Sequence, residues 1–356
     1  MKRPLPPLLA LFVGALTLAF TIGLCVHERD NEQARLRAVF DANARQVAGR
    51  IEQRVANYEQ VLRGVQGLLS ADPGIDRSAF GDYIDTVMAG PDAAGLQSLA
   101  FTELVLPAQL ADHIARQRAS GRPDYRLRPD SVREMYAPVV LVAPDSVANR
   151  QVVGFDPMSD AARRAAMLQA RDSGNATLTA LLQLRVDADP VLRPGCLLFL
   201  PVYRKGAAID TVAERRTNVV GWVRAAFRVS ELMATLYGEH SPGLVVRVHD
   251  GADTSEATLM YRSDVSDAAA DADETVRDAR FQSQEYVTLA GHTWTVQLSS
   301  QPEFERMHGR NASTVILVAG IVLSLLLGLI THQLVTGRAR AYAAAQSMTR
   351  ELRESE

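Results

Sequence analysis

The chain has 356 residues, of which 47% are hydrophobic and 22% are charged, and its net charge is −3. This composition is typical of a globular protein long enough for two or three domains. The near-neutral charge gives no support to nucleic-acid binding, which requires a strong basic excess. The two cysteines, Cys25 and Cys196, lie in unrelated apolar segments, so no disulfide framework is expected.

Two apolar segments predict membrane spans. Residues 7–26 carry no charge, and residues 314–335 contain His332 as their only titratable group. Each segment is long enough to cross a hydrocarbon core of roughly 30 Å. A cleaved signal peptide is the alternative for the first segment, but its length and its lack of a small-residue cleavage site favour an uncleaved anchor.

Basic residues at the ends of these segments predict the orientation. Lys2 and Arg3 precede the first span, and Arg338 and Arg340 follow the second. Positive charges concentrate on the cytoplasmic side, so both termini are expected in the cytoplasm. Residues 27–313 would then lie outside the inner (cell) membrane, in the periplasm if the host is a bacterium.

The segment after the first span predicts one continuous helix. Its apolar residues recur in steps of three and four: Phe40, Ala44, Val47, Ile51, Val55, Tyr58, Leu62, Val65 and Leu69. This narrow seam either packs against the chain's own domain or pairs with a second copy as a parallel dimer stalk. Both interpretations can hold for different parts of the helix, and the near-membrane part is the better candidate for pairing between chains.

The following segments predict an α+β fold. Helices are expected at 79–88 with Ser78 as its cap, at 106–121 and at 160–174, and strands at 96–106, 136–144, 151–155, 176–186 and 195–204. A second block from residue 206 predicts a separate small α+β domain, with strands at 218–229, 243–251 and 257–263, a helix at 230–238 and a hairpin at 284–300. Between the strand at 257–263 and the hairpin, an acidic, alanine-rich stretch at 266–279 is expected to be a solvated connector.

Residues 338–356 are helix formers with no stop signal, which predicts a signalling helix truncated before further modules.

The sequence lacks the common catalytic motifs. It contains no Gly-x-Ser-x-Gly, His-Glu-x-x-His, P-loop or Cys-x-x-Cys pattern, and no two of its seven histidines stand three or four residues apart. We therefore expect no enzymatic activity in the outer segment, no metal site and no cofactor.

The turn Gly154-Phe-Asp156-Pro157 is the segment most suggestive of a site. A nucleotide-binding loop is excluded, because one glycine is too few for close backbone approach and the Asp156 charge would repel phosphate. A carboxylate at this point can accept hydrogen bonds from a ligand. Alternatively, Asp156 caps the following helix, although Ser159 is an equally good cap.

The segment from residue 136 to residue 233 resembles the CHASE domain, the extracellular sensory domain of receptor histidine kinases, adenylate cyclases and diguanylate cyclases, including plant cytokinin receptors. The resemblance rests on a Tyr-x-Pro-Val strand at 136–139, Asn149, the Gly-x-Asp turn with Ser159, Ala-Arg-Asp-Ser-Gly at 170–174 and Leu-Pro-Val-Tyr at 200–203. It implies a stalk helix followed by two PAS-like domains, with the ligand held in the membrane-distal domain. The divisions expected are a cytoplasmic N-terminus (1–6), a transmembrane helix (7–26), the stalk (27–71), the distal CHASE domain (72–205), the proximal PAS-like domain (206–312), a second transmembrane helix (313–336) and a truncated cytoplasmic helix (337–356).

The resemblance also implies ligand contacts. The family's pocket aspartate matches Asp156, and a leucine that contacts the ligand through its backbone matches Leu178. Phe199 stands where cytokinin receptors carry a small hydroxyl residue, which puts adenine-type cytokinins in doubt because a phenyl ring would shrink the cavity. Tyr136 and Phe101 complete the expected set.

These observations predict a dimeric membrane sensor. A small molecule would bind the distal domain, and the signal would pass to a cytoplasmic histidine kinase or diguanylate cyclase module absent from this chain. The alternative is a ligand-free structural or dimerisation module of a membrane protein.

Overall fold

The computed structural model describes residues 6–184, 194–236, 243–263, 279–309 and 312–355. Within them the chain forms two compact units: residues 41–303, and residues 1–40 together with 304–356. Most of the acidic connector predicted at 266–279 lies outside the described residues. The helices are α1 (Pro6–Ala71), α2 (Arg77–Met88), α3 (Leu110–Ala119), α4 (Val147–Arg150), α5 (Ala161–Ser173), α6 (Val212–Asn218), α7 (Val229–Leu236), α8 (Pro302–His308) and α9 (Ala312–Ser355).

Two antiparallel sheets form the centre of the larger unit. The strands are β1 (Leu96–Glu103), β2 (Val139–Ala143), β3 (Thr177–Leu178), β4 (Leu182–Gln183), β5 (Pro194–Tyr203), β6 (Val219–Arg228), β7 (Leu244–Asp250), β8 (Leu259–Arg262), β9 (Gln282–Leu289) and β10 (His292–Ser300). The first sheet has the order β2-β1-β6-β5-β3, with β4 also paired to β5, and the second has the order β8-β7-β10-β9. The α+β class predicted from the sequence is confirmed.

Strand β6 belongs to the first sheet, where it pairs with both β1 and β5. Its alternating side chains are buried on both faces, since nearly every residue from Val219 to Phe227 is inaccessible. The division expected at residues 205 and 206 therefore does not coincide with the division between the sheets. A long hydrophobic strand is most stable at the centre of a sheet, because both of its faces are buried there. Its position in the sheet therefore does not depend on the block of sequence to which it belongs.

The apolar seam of α1 is covered by residues of the same chain. In the larger unit, Tyr58 packs on Phe227 of β6 with ring centroids 5.1 Å apart and donates a hydrogen bond to the Ala94 carbonyl at 2.7 Å. Gln66 donates to the carbonyl of Pro201 on β5 at 2.5 Å. These contacts confirm, for this part of the helix, the interpretation in which the seam packs on the chain's own domain.

The β9–β10 hairpin closes on the Ala290-Gly291 turn that the sequence predicts. Both residues have positive φ, 45° and 77°, as a two-residue type I′ turn requires. The predicted pairing of 243–251 with 257–263 is also present, as β7 and β8.

The smaller unit consists of two long apolar helical segments, both of which have the length and composition needed to cross a membrane. Small residues allow the segments to approach closely, since a Cβ added at Gly320 would lie 2.0 Å from Thr21 Cγ2. Near one end of the pair, the Cys25 thiol donates to the Ser313 carbonyl at 3.4 Å.

Three local predictions are wrong. Residues 151–154 form turns and Phe155 forms only an isolated bridge with Arg128, because the backbone N–H of Phe155 bonds back to the Val152 carbonyl. The segment 176–186 forms only the two short strands β3 and β4. The helix caps are shifted too: Asp76 instead of Ser78 caps α2, and Asp160 caps α5.

Candidate functional site

One face of the first sheet carries the candidate site. Residues that stand opposite each other in neighbouring strands project to the same face. Arg224 of β6 lies between Ala100 of β1 and Phe199 of β5. The adjacent row on this face contains Ser98 of β1, Ala226 of β6 and Leu197 of β5.

The Gly154-Phe-Asp-Pro turn lies beside this face and is fixed on both sides. The Gly154 N–H donates to the Val139 carbonyl, and the Asp156 N–H donates to the Arg128 carbonyl. Gly154 has φ +79°, and a Cβ there would lie 2.3 Å from the Arg126 carbonyl oxygen. The turn therefore requires glycine for close backbone contact, although not for contact with phosphate.

Asp156 is fully buried at the end of this turn, and protein donors already occupy both of its oxygens. Oδ1 accepts from the backbone N–H groups of Ala137 at 3.0 Å and Met158 at 2.9 Å. Oδ2 accepts from the guanidinium of Arg133 at 2.6 Å. The carboxylate thus caps the short 3-10 turn that follows it, and it also joins this turn to the segment before β2. The sequence offered a similar role, with Asp156 as the cap of the following helix.

Tyr136 lies in the same cluster. Its hydroxyl accepts from the Arg133 N–H at 3.2 Å, and the Arg133 guanidinium lies 5.3 Å from the centre of its ring. Arg133 therefore connects Tyr136 with Asp156, and the contact of these two residues with a ligand stays a prediction. No pattern in the sequence singled out Arg133, because its segment has no regular structure.

The other three predicted contacts lie elsewhere in the domain. Leu178 is buried in β3, and its backbone N–H donates to the Ala290 carbonyl of the second sheet at 3.1 Å. Phe199 is fully buried in a hydrophobic cluster with Met158, Met167 and Trp222, so its ring occupies space on the face of the sheet near Arg224. Phe101 projects from the other face, where its ring lies against Gly221.

A partly open cavity lies between this face, the turn and helix α5. Its volume is about 30 Å³, room for a water molecule or two. Three of its ten lining residues are polar, and these are Ser98, Arg163 and Arg224. The other seven are apolar and include Phe155 and Leu197.

The electrostatics of the cavity are dominated by the two arginines. Arg163 of α5 pairs with Asp160 at 3.1 Å and lies over the ring of Phe155 at 5.7 Å. Burial, together with the nearby charge of Arg163, lowers the pKa of Arg224 to about 10. The guanidinium of Arg224 is therefore still charged at neutral pH.

Arg224 was not predicted from the sequence, although a signal was present. In the run Trp222-Val-Arg224-Ala-Ala226, the period-2 alternation places the arginine on the same side as the tryptophan. A charged residue in the apolar phase of a central strand is rare, and it marks either a buried ion pair or a site.

Within the ranges that the structure describes, no group of three or more His, Cys, Asp or Glu residues is arranged to hold a metal ion. The arrangement instead supports binding chemistry, because the cavity combines apolar walls with a few convergent polar groups.

An α+β domain with a small cavity, in a chain with two helices of membrane-spanning length, has the architecture of a receptor's sensory domain. Residues 73–261 match the CHASE domain family, and because this match covers more than half of the chain, the protein belongs to that family. CHASE domains are extracellular sensory domains of membrane receptors.

The chain is similar to two plant histidine kinases and, more distantly, to a bacterial chemoreceptor domain. The chain is 27% identical over 196 residues to probable histidine kinase 4 of Oryza sativa subsp. japonica, and 27% identical over 211 residues to histidine kinase 3 of Arabidopsis thaliana. Each match covers 54% of this chain but only 18% and 19% of those proteins, so the chain spans less than a fifth of their length. Among solved structures, the ligand-binding domain of the Pseudomonas aeruginosa PAO1 amino acid chemoreceptor PctB, in complex with L-Arg, is similar with a TM-score of 0.41 and 10% identity. That likeness covers 77% of this chain and 98% of the PctB domain.

Proposed function

We propose that this chain is the sensory part of a transmembrane receptor. A small molecule binds between the first sheet and α5, and the signal crosses the membrane to a cytoplasmic output module, a histidine kinase or a diguanylate cyclase. Both termini lie in the cytoplasm, and the receptor works as a parallel homodimer. The chain itself carries no enzymatic activity.

The observation that carries this proposal is the partly open cavity with a buried arginine on one face of the sheet. A structural module has no need to place a charged side chain beside a largely apolar cavity, because the desolvation of the charge is costly. Helix α1 runs without a break from Pro6 to Ala71, which supports transmission between the sensory domain and the membrane. A ligand shifts such a receptor only by its difference in affinity for the two states.

The predicted contacts Asp156, Leu178, Tyr136, Phe199 and Phe101 remain predictions. A ligand that bonds to the Asp156 carboxylate would have to compete with Arg133 or use the remaining lone pairs of the carboxylate. A ligand much larger than the present cavity would have to displace the ring of Phe199, which lies next to Arg224 in the sheet.

The ligand-free structural or dimerisation module remains the second candidate. The protein donors on both oxygens of Asp156 and the small volume of the cavity favour it, since a domain that satisfies its polar groups internally does not require a ligand.

A thermal-shift screen of the full chain in detergent against a library of small metabolites separates the two candidates. We expect at least one compound to raise the unfolding temperature, and Ala226→Leu to abolish the shift because its side chain fills the cavity. The control is Ala111→Leu on the exposed face of α3, which should respond like the unsubstituted chain. If no compound stabilises the chain, or if Ala226→Leu responds as well as the control, the ligand-binding proposal fails.

A further inference from the structure

The cavity contains a positive charge that the protein does not balance. Arg224 is buried, with 6% of its surface exposed, and its side chain lines the cavity. Among the residues that the structure describes, no hydrogen-bond acceptor or carboxylate pairs with its guanidinium, and the one charge that acts on it is the like charge of Arg163. The Asp160 carboxylate pairs with Arg163 instead.

A buried, unpaired guanidinium is unfavourable unless something compensates for it. Removing a charged group from water costs several kcal/mol, which an opposite charge in hydrogen-bond contact can offset. The guanidinium cannot escape the penalty by losing its proton, because arginine stays protonated at neutral pH. An anion that enters the cavity would supply the missing partner.

The rest of the cavity restricts the kind of anion. The planar fork of Arg224 matches the two oxygens of a carboxylate. Ser98 stands diagonally across from it on the same face, and its hydroxyl has no partner among the described residues, so it can donate to one of these oxygens. The remaining walls are largely apolar, which suits a short hydrocarbon substituent and disfavours the additional oxygens of a phosphate.

Taken with the proposed sensory function, on which it rests, this geometry points to a small carboxylate anion with a short apolar tail as the ligand. Arg224 is the residue that recognises the carboxylate, and Ser98 supports it. The volume of about 30 Å³ restricts the ligand to the smallest members of the class, and even these require the side chains of the wall to move apart, because the cavity as it stands holds only a water molecule or two.

The test compares propionate with propionamide, which has a similar shape but no charge, on the purified full chain at constant ionic strength. Propionate in large excess should raise the unfolding temperature by about 2 °C or more, whereas propionamide should not. Arg224→Met should abolish the propionate shift, and without ligand it should raise the unfolding temperature because it removes an unbalanced buried charge. The matched control is Arg247→Met, which removes a buried arginine of the second sheet outside the cavity and should keep the propionate shift.

Several results would overturn the inference. These are equal shifts with propionate and propionamide, a shift with inorganic phosphate alone, a propionate shift that survives in Arg224→Met, or a loss of stability in ligand-free Arg224→Met. If Arg224→Met does not fold, the comparison of propionate with propionamide on the unsubstituted chain decides whether the inference holds. If neutral compounds stabilise the chain and carboxylates do not, this inference fails while the sensory proposal stands. If no compound stabilises it, both fail.

Discussion

The Asp156 side chain connects its own turn with the segment before β2 through three hydrogen bonds. Two come from backbone N–H groups and the third from Arg133, whose side chain is 15% exposed. Losing the carboxylate would strand two buried donors and one largely buried cation. Asp156 therefore holds the turn in place. A ligand that displaced Arg133 from the carboxylate would act on the turn through the same residue.

Asp156→Ala is expected to lower the free energy of unfolding by about 2–4 kcal/mol, because unpaired buried donors and charges are costly. Asp156→Asn should also destabilise, since its amide N–H₂ would face the guanidinium of Arg133. Thermal and chemical unfolding of the full chain would measure both. The control is Asp145→Ala, which removes an exposed partner of Arg150 and should change stability by less than about 0.5 kcal/mol. A small effect of Asp156→Ala would contradict the anchoring role.

Asp250 joins the two sheets and makes the stability of the larger unit depend on pH. Burial alone would raise its pKa, but hydrogen bonds from His292 at 2.5 Å and the Leu181 N–H at 2.9 Å outweigh it and lower the pKa below the ordinary value of 3.8. The unfolded state therefore binds the proton at higher pH than the folded state does.

The sign of this effect gives a prediction. The stabilisation from Asp250 is fully present above its unfolded pKa near 3.8, and it is lost as the pH falls through the lower folded value. Asp250→Asn should reduce the unfolding temperature at pH 6 and flatten its decline between pH 4 and pH 2.5. Equal acid sensitivity of the two proteins in a thermal scan would show that Asp250 does not contribute.

Among the elements, strands with clear period-2 patterns and a tight hairpin turn were predictable from sequence, whereas the helix caps were not. The run 218–229 and the Ala290-Gly291 hairpin are examples, because alternation and turn chemistry are local properties. Residues 151–155 were not, since Val152, Val153 and Phe155 have strand propensity but are held in turns by the tight contact of Gly154 with Arg126. Contacts between distant segments override propensity there.

The candidate site was also predictable only in part, because contacts between distant segments decide which residues meet there. Asp156 and Tyr136 were found through a family resemblance, whereas Arg133 and Arg224 become visible only when β6 and the loop before β2 are placed in space. The apolar seam of α1 was read correctly as a helix. The sequence alone could not decide what covers it, and in the structure the seam residues are buried against other parts of the same chain.

The packing of the two apolar helices gives a prediction at the level of elements. Cys25 is buried, and its thiol contacts the Ser313 carbonyl, so a cysteine at position 313 should lie within reach of Cys25. In a Cys196→Ala background, Ser313→Cys should form a disulfide on mild oxidation, which a mobility shift after alkylation would show. Val315→Cys, at an exposed position one half-turn further on, is the control and should react slowly. Equal rates at both positions would contradict the packing of the helices.

At the scale of the whole molecule, a receptor with this organisation must keep its sensory domain outside and its output inside. A segment of nearly 290 residues between two spans crosses the membrane whatever its charge, so orientation depends on the basic residues at the span ends. With two spans, both ends of the chain are expected on the same side of the membrane, which under the proposed function is the cytoplasm.

This topology can be tested with reporters that are active on only one side of the membrane. A periplasmically active phosphatase fused after Ser355 should give no activity, because Lys2, Arg3, Arg338 and Arg340 favour a cytoplasmic location for both ends. The same phosphatase inserted at the exposed Ile209 should be active, and a fluorescent protein that matures only in the cytoplasm should show the opposite pattern. Replacing Arg338 and Arg340 with glutamine should weaken the preference, since the orientation is set by these charges. Phosphatase activity at the C-terminus of the unsubstituted chain would reverse the assigned orientation, and with it the direction in which a ligand signal could travel.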